Sequence, residues 1–294
     1  MSTAQPKISL VTPSFNQIPF LRATLSSVLD QRYPNLEYVV VDGGSTDGSR
    51  DLIAQHADAL AWWCSEPDHG MYDALNKGFA PTTGDIMGWL NSDDLHLPWT
   101  LKTVAEIFSQ FPQLEWLASQ TVGTWSASGQ CLGMSSIGGF SREAFLDGGY
   151  LPGAVRQYGW IPQESTFWRR SLWEKAGGQL NATFRAAGDF ELWARFYEHA
   201  ELVGTLTPLA GFRTHPEQKS RAMDAYLREA RAALADAQKR HRHAIAPWRR
   251  WLLRSHLASL PGLRRALIRR CGYRGLKVEA TAAGAWQITP HRFL

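Results

Sequence analysis

Ile86-Met87-Gly88-Trp89-Leu90-Asn91-Ser92-Asp93-Asp94 carries the strongest structural signal in the chain. Residues 86–90 form a short apolar run followed by polar residues, which is typical of a buried strand. The run ends in two adjacent acids, whose charges repel each other unless a cation neutralises them. Hard divalent ions such as Mg²⁺ and Mn²⁺ bind carboxylate oxygens and complete their coordination with phosphate oxygens.

Two interpretations of Asp93 and Asp94 follow from this position. Ligands of open α/β sheets bind at the carboxyl ends of the strands, which favours a site for a metal and a diphosphate. Alternatively, the acids form a solvated turn or begin a helix, because Asp is common at helix N-caps and Pro98 follows closely. The pair taken alone favours the turn, so other segments of the chain must distinguish the two.

Strands and helices alternate through the first hundred residues. Apolar runs predict strands at residues 8–11, 36–41, 60–64 and 86–90. Apolar residues at helical spacing and capping residues predict helices at about 19–31, up to about 55, and at about 71–79. This alternation predicts an α/β protein with a mostly parallel sheet and helices on both faces, in which the loops after the strands meet at one edge.

The second half of the chain has a less regular pattern. We expect a long strand or a strand pair at 115–125, a Gly-rich and aromatic loop over a site at 135–159, and short strands at 202–206 and 209–212. Helices are predicted at 101–108, at 171–176, after Asp189 and at 219–242.

The composition is that of a soluble globular protein, with 294 residues of which 44% are hydrophobic and 20% are charged. The polar start predicts no signal peptide, and no apolar run reaches the roughly 18 residues of a transmembrane helix. The three cysteines are far apart, which indicates reduced thiols rather than disulfides or a zinc site. We therefore expect a cytoplasmic protein.

Positive charge is concentrated near the C-terminus. Residues 239–274 hold 11 of the 31 basic side chains and none of the 27 acidic ones. Their arginines interleave with Trp248, Trp251 and several leucines, a composition suited to the interface of an anionic membrane. A packed appendage, an oligomer contact and a nucleic-acid patch are alternatives, and Arg249 among the apolar positions weakens the amphipathic pattern. We favour membrane association and expect no nucleic-acid partner.

Four ordered segments of the N-terminal half resemble the family-2 glycosyltransferases, which have a GT-A fold. Each segment closes or follows a predicted strand. They are Thr12-Pro13-Ser14-Phe15-Asn16, Val41-Asp42-Gly43-Gly44-Ser45-Thr46-Asp47-Gly48, Glu66-Pro67-Asp68-His69-Gly70-Met71-Tyr72-Asp73-Ala74-Leu75-Asn76-Lys77-Gly78 and Leu90-Asn91-Ser92-Asp93-Asp94. The chain looks most like enzymes that assemble bacterial O-antigen and exopolysaccharide repeat units.

The resemblance implies a GT-A domain at residues 1–218. Its donor half would span about 1–100 and its acceptor half about 101–218. Residues 219–294 are predicted to form a helical, basic and amphipathic C-terminal appendage.

The resemblance also implies a donor site at the edge of the sheet. Pro13 and Phe15 would line the nucleotide pocket, and Asp42 would accept a hydrogen bond from a uracil N–H. Alternatively, Asp42 is a turn acid that stabilises its own loop. The residues implied near the diphosphate and the donor sugar are Asp68, Asn76 and Lys77. For Lys77 a solvated helix position is equally compatible with the sequence.

The implied metal is Mn²⁺ or Mg²⁺. Asp94 would bind it directly, and Asp93 would face the ribose or a metal-bound water. Family members more often have Asp-x-Asp, so the adjacent pair leaves the division of labour open. His215 lies in a segment where several family members place a metal-binding His. Because a lone His is more often structural than a ligand, both interpretations of His215 stay open.

A second signature, Gly188-Asp189-Phe190-Glu191-Leu192-Trp193-Ala194-Arg195, resembles the acidic motif beneath the family's acceptor site. Inverting transfer needs a base that removes the proton of the attacking hydroxyl, and the resemblance makes Asp189 this base. Alternatively, Asp189 only caps its helix. Pro162-Gln163-Glu164-Ser165 matches a segment that flanks the acceptor, so Glu164 is the acceptor-binding candidate and the reserve base.

The resemblance thus implies a metal-dependent inverting glycosyltransferase, either a hexosyl- or an N-acetylhexosaminyltransferase, that uses a nucleotide sugar and favours a uridine diphosphate sugar. Its expected acceptor is a glycan on a polyprenyl diphosphate. The enzyme would meet this acceptor as a peripheral protein on the inner face of the cytoplasmic membrane, in surface polysaccharide biosynthesis.

Two other functions are compatible with parts of the sequence. A sugar nucleotidyltransferase also combines an α/β sheet with metal-binding acids, but a Gly-rich basic loop is expected after its first strand, and residues 12–17 contain no glycine. A non-catalytic, membrane-associated nucleotide-sugar-binding protein would not need Asp93, Asp94 and Asp189 together.

Overall fold

The computed structural model describes residues 5–154, 158–216, 218, 223–246, 248, 251 and 261–294. The strands are β1 (Ile8–Ser14), β2 (Leu36–Asp42), β3 (Trp62–Ser65), β4 (Ile86–Trp89), β5 (Leu95–His96), β6 (Trp116–Ser119), β7 (Thr121–Ser126), β8 (Cys131–Ser136), β9 (Thr166–Arg169), β10 (Val203–Thr205), β11 (Ala210–Thr214), β12 (Tyr273–Ala280) and β13 (Trp286–Phe293). Helices of the 3₁₀ type occur at Ala57–Ala59 and Gln163–Ser165.

The α-helices are α1 (Ile18–Leu29), α2 (Ser49–Ala54), α3 (Met71–Phe79), α4 (Thr100–Gln110), α5 (Arg142–Leu146), α6 (Arg170–Lys175), α7 (Gly188–His199), α8 (Met223–Arg240) and α9 (Pro261–Cys271). Within the described residues, no helix combines the length and the apolarity needed to cross a bilayer.

The strands form two sheets. The main sheet has the order β13-β12-β10-β6-β9-β4-β1-β2-β3, and the smaller sheet has the order β5-β11-β7-β8. In the main sheet β9 runs antiparallel to β4 and β6, and β13 runs antiparallel to β12, while the other neighbours are parallel. The predicted mostly parallel sheet is therefore confirmed, with two antiparallel insertions.

Alternation along the central strands builds a core on each face of the main sheet. Leu10 and Val40 point to one core, and their neighbours Val11 and Val41 point to the other, as the two-residue period of a strand requires. Helices α1, α2 and α4 cover the first core, whereas α3, α5, α6, α7 and α8 cover the second. Because both faces are covered, β1 is buried at every position, which explains its continuous apolar run.

Residues 135–159 differ from the predicted loop over a site. Residues up to 136 belong to β8, and α5 follows after a short connection. Phe140, Phe145 and Tyr150 are fully buried in the core of the second face. The aromatic residues of this segment are therefore core residues, and the glycines allow close packing, since a Cβ on Gly139 would collide with Phe293.

The C-terminal region also differs in part from the predicted helical appendage. It does contain α8 and α9, but β12 and β13 form a hairpin that extends the main sheet through β10. Helix α8 buries Ala230, Ala233, Leu234 and Ala237 in the core of the second face. The C-terminal region is therefore part of the main sheet and of the helical layer that covers its second face. Much of the basic segment, residues 249–250 and 252–260, lies outside the described residues.

One buried carboxylate holds the start of the central strands together. Glu37 on β2 accepts hydrogen bonds from Lys7 Nζ at 2.6 Å, Ser9 Oγ at 2.5 Å and the main-chain N–H of Thr83 at 2.7 Å. Burial by itself raises the pKa of Glu37, but these donors and the charge of Lys7 outweigh it and lower the pKa to about 2. The ionised form is therefore the stabilising one.

Replacing this carboxylate should cost stability in a pH-dependent way. We expect Glu37→Gln to lower the free energy of unfolding at pH 7 by about 3 kcal/mol, which corresponds to the pKa difference between about 4.5 and about 2. The difference from wild type should be complete above pH 4.5 and shrink as the pH falls towards 2. Urea unfolding at several pH values measures it. Glu106→Gln on the surface of α4 is the control, and an equal effect of both changes would contradict the assignment.

Candidate functional site

The carboxyl ends of β1, β2 and β4 lie side by side and carry the predicted site residues. Ser14 at the end of β1 pairs with Asp42 at the end of β2, and β1 also pairs with β4, after which Asp93 and Asp94 follow. Thr24 on α1 donates a bifurcated hydrogen bond to the main-chain oxygens of Ser92 and Asp94, at 2.8 and 2.7 Å. The loop of the two acids is therefore held against α1.

Asp93 and His215 meet although 122 residues separate them in the chain. His215 follows β11, and its Nε2 atom lies 3.0 Å from Oδ2 of Asp93. The ring of Phe20 packs on the His215 ring with centroids 4.4 Å apart. The Asp93 side chain is 21% exposed, so this pair opens towards solvent, while His215 is buried behind it.

Asp94 lies deeper than Asp93 and has a different role. Only 2% of it is exposed, and its Oδ1 atom accepts a hydrogen bond from the main-chain N–H of Arg213 at 2.9 Å. Burial, followed by the charges of Asp93 and Glu164, raises the pKa of Asp94 well above its usual range. The Asp93 carboxylate therefore faces His215 and solvent, while the Asp94 carboxylate is buried against β11; which of the two binds a metal stays a prediction.

A divalent cation fits the Asp93–His215 pair. The pair offers one carboxylate oxygen and one imidazole nitrogen, which are both ligands for Mn²⁺. No group of three or more His, Cys, Asp or Glu side chains that could hold a metal is present in the described part of the chain. Water and phosphate oxygens would complete the coordination of a cation held by such a pair, as they do for Mg²⁺ and Mn²⁺ in phosphate sites.

Arg213 is a site residue that the sequence analysis missed. It is buried, its guanidinium lies 5.1 Å from the centre of the Phe20 ring, and its Nε atom has no hydrogen-bond partner among the described residues. Burial lowers its pKa, and the nearby charges of Asp94 and Asp93 oppose this shift. Arg213 therefore offsets the charge of the two acids. The two-residue period of β11, which places residues 213 and 215 on one side, is the signal that could have identified it.

Phe15, Gly43 and Asp68 lie close together in the loops that follow β1, β2 and β3. Phe15 is 59% exposed, although it is a large apolar residue. A Cβ atom on Gly43 would lie 2.7 Å from Oδ2 of Asp68 and 3.3 Å from the Phe15 ring, so glycine allows these two side chains to approach the backbone closely. Pro13 is buried in β1, where it is in register with Val41 of β2.

The Asp42 carboxylate is engaged within its own loop. Its oxygens accept hydrogen bonds from the main chain of Ser45 at 2.9 Å, from the Ser45 hydroxyl, and from Ser65 Oγ at 2.6 Å. These contacts support the interpretation of Asp42 as a turn acid. Contact with a nucleotide base stays a prediction.

Asn76 and Lys77 on α3 also make structural contacts. The Asn76 amide donates to the main-chain oxygen of Leu180 at 2.9 Å and accepts from its N–H at 2.8 Å, which anchors this loop to α3. Lys77 Nζ lies 3.2 Å from Glu66 and 3.8 Å from Asp73. A direct donor contact of Asn76 is not supported by this geometry, and that of Lys77 would require it to exchange partners.

Glu164 and Asp189 form the second half of the site. Burial, and then the charge of Asp189, raises the pKa of Glu164 to about 7. Burial, and then the charge of Glu229, raises the pKa of Asp189 to about 6, against the hydrogen bonds of the first turn of α7. The charge of Glu164 also acts on Asp94. The carboxylates of Asp94, Glu164 and Asp189 are thus electrostatic neighbours in one region.

Asp189 is not the cap of its helix. The N-cap position of α7 is Ala187, and Asp189 is the second helical residue. Its Oδ1 atom is buried without a hydrogen-bond partner in the described part of the structure. Four residues further along α7, Trp193 stacks on Trp89 of β4 with ring centroids 5.7 Å apart. This stack fixes the helix that carries Asp189 to the strand that leads to Asp93.

Comparisons with known proteins identify the family that this chain resembles. The model of the family described as "Glycosyl transferase family 2" matches residues 9–120. The uncharacterised glycosyltransferase Rv1514c of Mycobacterium tuberculosis is 32% identical over 202 residues, which are 66% of this chain and 70% of that protein. The putative teichuronic acid biosynthesis glycosyltransferase TuaG of Bacillus subtilis is 35% identical over 97 residues, 32% of this chain and 38% of that protein.

Solved structures of low sequence identity share the fold. S. aureus TarS 1-349, solved in complex with UDP-GlcNAc, matches with a TM-score of 0.61 and 14% identity, over 90% of this chain and 76% of that chain. The mannosyltransferase PcManGT of Pyrobaculum calidifontis, solved with GDP-Man and Mn²⁺, matches with a TM-score of 0.52 and 19% identity, over 90% of this chain and 84% of that chain.

Proposed function

Because this chain belongs to glycosyl transferase family 2, we propose that it transfers a sugar from a nucleotide-sugar donor to a hydroxyl group of a glycan acceptor, with inversion at the anomeric carbon. The predicted family and the predicted GT-A fold are confirmed. The donor, the acceptor and the stereochemistry are parts of the proposal.

The observation that carries the proposal is that two different groups of residues lie near each other. The Asp93–His215 pair and the exposed Phe15 ring suit a nucleoside diphosphate held through a metal. Glu164 acts electrostatically on Asp94, and Asp189 acts on Glu164, and both carboxylates are suited to receive a proton. A sugar between the two would have its leaving group on one side and its attacking hydroxyl on the other.

Asp93 and His215 would hold the divalent cation, and Asp94 and Arg213 would keep this pair in place. The cation would neutralise the charge of the departing diphosphate. The Mn²⁺ found together with GDP-Man in the PcManGT complex supports this choice of metal.

Asp189 would act as the general base. With a pKa of about 6 it is mostly ionised at neutral pH, yet it accepts a proton more readily than an ordinary aspartate does. Its unpartnered Oδ1 atom is free to accept a hydrogen bond from an acceptor hydroxyl. Glu164, with a pKa of about 7, is the acceptor-binding residue and the reserve base.

For the donor we favour a uridine diphosphate hexose or N-acetylhexosamine. The complex of TarS with UDP-GlcNAc supports this choice, while the GDP-Man in PcManGT marks guanosine diphosphate sugars as the competing class. TuaG supports a role in the synthesis of bacterial surface polysaccharide. The nucleotidyltransferase alternative is disfavoured, because the loop after β1 contains no glycine.

We also propose that the basic C-terminal segment holds the enzyme at an anionic membrane, where it would meet an acceptor on polyprenyl diphosphate. Trp248 and Trp251 are 51% and 63% exposed, and Leu263 on α9 is exposed as well. A cavity of about 800 Å³ next to α9 is lined by four arginines, with Glu143 and Glu201 at its wall. Its arginines are Arg142, Arg270, Arg274 and Arg292.

Donor binding can be measured as a thermal shift. UDP with Mn²⁺ at about 100 times its dissociation constant should raise the melting temperature by about 5 °C, and UDP alone by less. Asp93→Ala and His215→Ala should each remove the metal-dependent part. Asp189→Asn is the matched control and should keep the full shift. An undiminished effect of Mn²⁺ in both Asp93→Ala and His215→Ala would contradict the metal assignment.

The base can be tested by its removal. Asp189→Asn should lower the transfer rate by a factor of about 10² to 10⁴, while donor binding is kept. In the wild type, the rate should fall as the pH drops below about 6, because Asp189 is then protonated. Glu191→Gln on the same helix turn is the control. Unchanged turnover of Asp189→Asn would remove Asp189 from the role of the base.

Membrane association can be tested with vesicles. Binding to phosphatidylglycerol vesicles should exceed binding to phosphatidylcholine vesicles. The triple change of Arg265, Arg269 and Arg270 to alanine should weaken it by about 100-fold, at about 1 kcal/mol for each cation. Alanines at Arg228 and Arg231 on α8 are the control. Equal sedimentation of the triple variant and the wild type with anionic vesicles would contradict the proposal.

A further inference from the structure

Glu229 on α8 closes the turn that precedes α7. Its Oε2 atom accepts hydrogen bonds from the main-chain N–H groups of Ala186 and Ala187, both at 2.9 Å. The N–H of Arg185 donates to both of its oxygens, at 3.0 and 3.1 Å. A carboxylate from a different helix thus accepts hydrogen bonds from three consecutive amides, two in the turn before α7 and one at its N-cap, Ala187.

Tyr72 on α3 holds the same turn from the other side. Its hydroxyl donates to the main-chain oxygen of Ala186 at 3.1 Å and accepts from the N–H of Gly188 at 2.8 Å. Gly188 is required here, because a Cβ atom would lie 2.7 Å from the Tyr72 ring. Every residue from 185 to 188 is therefore fixed by a side chain of another helix, and Asp189 follows directly.

The groups that face Asp189 come from three elements. Tyr72 lies on α3, Glu164 lies on the 3₁₀ helix before β9, and Tyr226 and Glu229 lie on α8. Both tyrosines have pKa values raised well above the usual range, first by burial, so they stay neutral. Among these four groups, Glu164 and Glu229 are therefore the ones that can carry a charge next to Asp189.

The surroundings of Glu229 and Asp189 shift the pKa values of the two carboxylates in opposite directions. Burial opposes the charge of Glu229, but the three amides and the charge of Arg185 lower its pKa. The charge of Glu229 in turn raises the pKa of Asp189. Two carboxylates with pKa values moved apart in this way are typical of an acid–base pair in which one group is a fixed charge and the other exchanges the proton.

We propose that Glu229 is a positioning residue of the catalytic site: it fixes the entry of α7 so that Asp189 meets the acceptor hydroxyl. The carboxylate of Glu229 also places a negative charge near Asp189. This inference rests on the proposed role of Asp189 as the base. It gives the C-terminal region a function in catalysis, in addition to the alanines and the leucine that α8 buries in the core.

The test is the pH profile of transfer in Glu229→Gln. The amide cannot supply two accepting oxygens and carries no charge, so the maximal rate should fall by about 10-fold, as expected for a displaced base. The acid limb of the profile should move to lower pH, because Asp189 loses a neighbouring negative charge. The KM for the donor should stay unchanged. A role in folding alone would not move the acid limb.

Asp236→Asn is the matched control, since it removes one acid from the same helix, where Asp236 pairs only with Arg240 in the described contacts. It should keep the wild-type rate and profile. If Glu229→Gln proves too unstable to assay, Glu229→Asp keeps the charge and should keep the acid limb near the wild-type position while the rate falls. A folded Glu229→Gln enzyme with wild-type rate and profile overturns this inference.

Failure of the proposed function is distinguishable from failure of this inference. If Asp189→Asn keeps its activity, the base assignment itself is wrong. If Asp189→Asn loses its activity and Glu229→Gln behaves as the wild type, only the role of Glu229 is wrong.

Discussion

The stack of Trp89 on Trp193 is the contact on which the site depends. Trp116 and Trp168 pack around this pair, and all four rings are almost fully buried. Their indole N–H groups have no hydrogen-bond partners among the described residues, so shape and apolar burial alone hold the cluster. Because Trp89 precedes the acids and Trp193 follows Asp189 by one helical turn, this apolar core positions Asp189 relative to the Asp93–His215 pair.

Repulsion between buried carboxylates is the second constraint. Burial raises the pKa values of Asp94, Glu164 and Asp189. In addition, the charges of Asp93 and Glu164 act on Asp94, that of Asp189 acts on Glu164, and that of Glu229 acts on Asp189. Arg213 offsets part of this charge from inside the protein. Burial of these carboxylates lowers the stability of the fold. It also raises the pKa values of Glu164 and Asp189 to about 7 and about 6, which suits proton transfer near neutral pH.

The C-terminal region completes the enzyme. The hairpin of β12 and β13 covers the edge of β10, and α8 supplies both buried alanines and the Glu229 carboxylate that fixes the start of α7. Edge strands tend to pair with other chains, and the hairpin removes that edge from β10. The basic helix α9 lies between α8 and the hairpin. The C-terminal region would therefore both attach the enzyme to a membrane surface and hold Asp189 in position.

Local sequence determined the alternation of strands and helices, because the periods of strands and helices are properties of neighbouring residues. It also determined that helices cover both faces of the sheet and that the acids lie at its edge. The motifs made Asp93, Asp189, Glu164 and His215 candidates without giving their geometry. Tertiary structure decided that Asp93 rather than Asp94 faces His215, that Arg213 lies close to both acids, that Phe140, Phe145 and Tyr150 enter the core, and that Glu229 binds the turn before α7. These facts depend on contacts between residues about 40 to 120 positions apart, which no local pattern encodes.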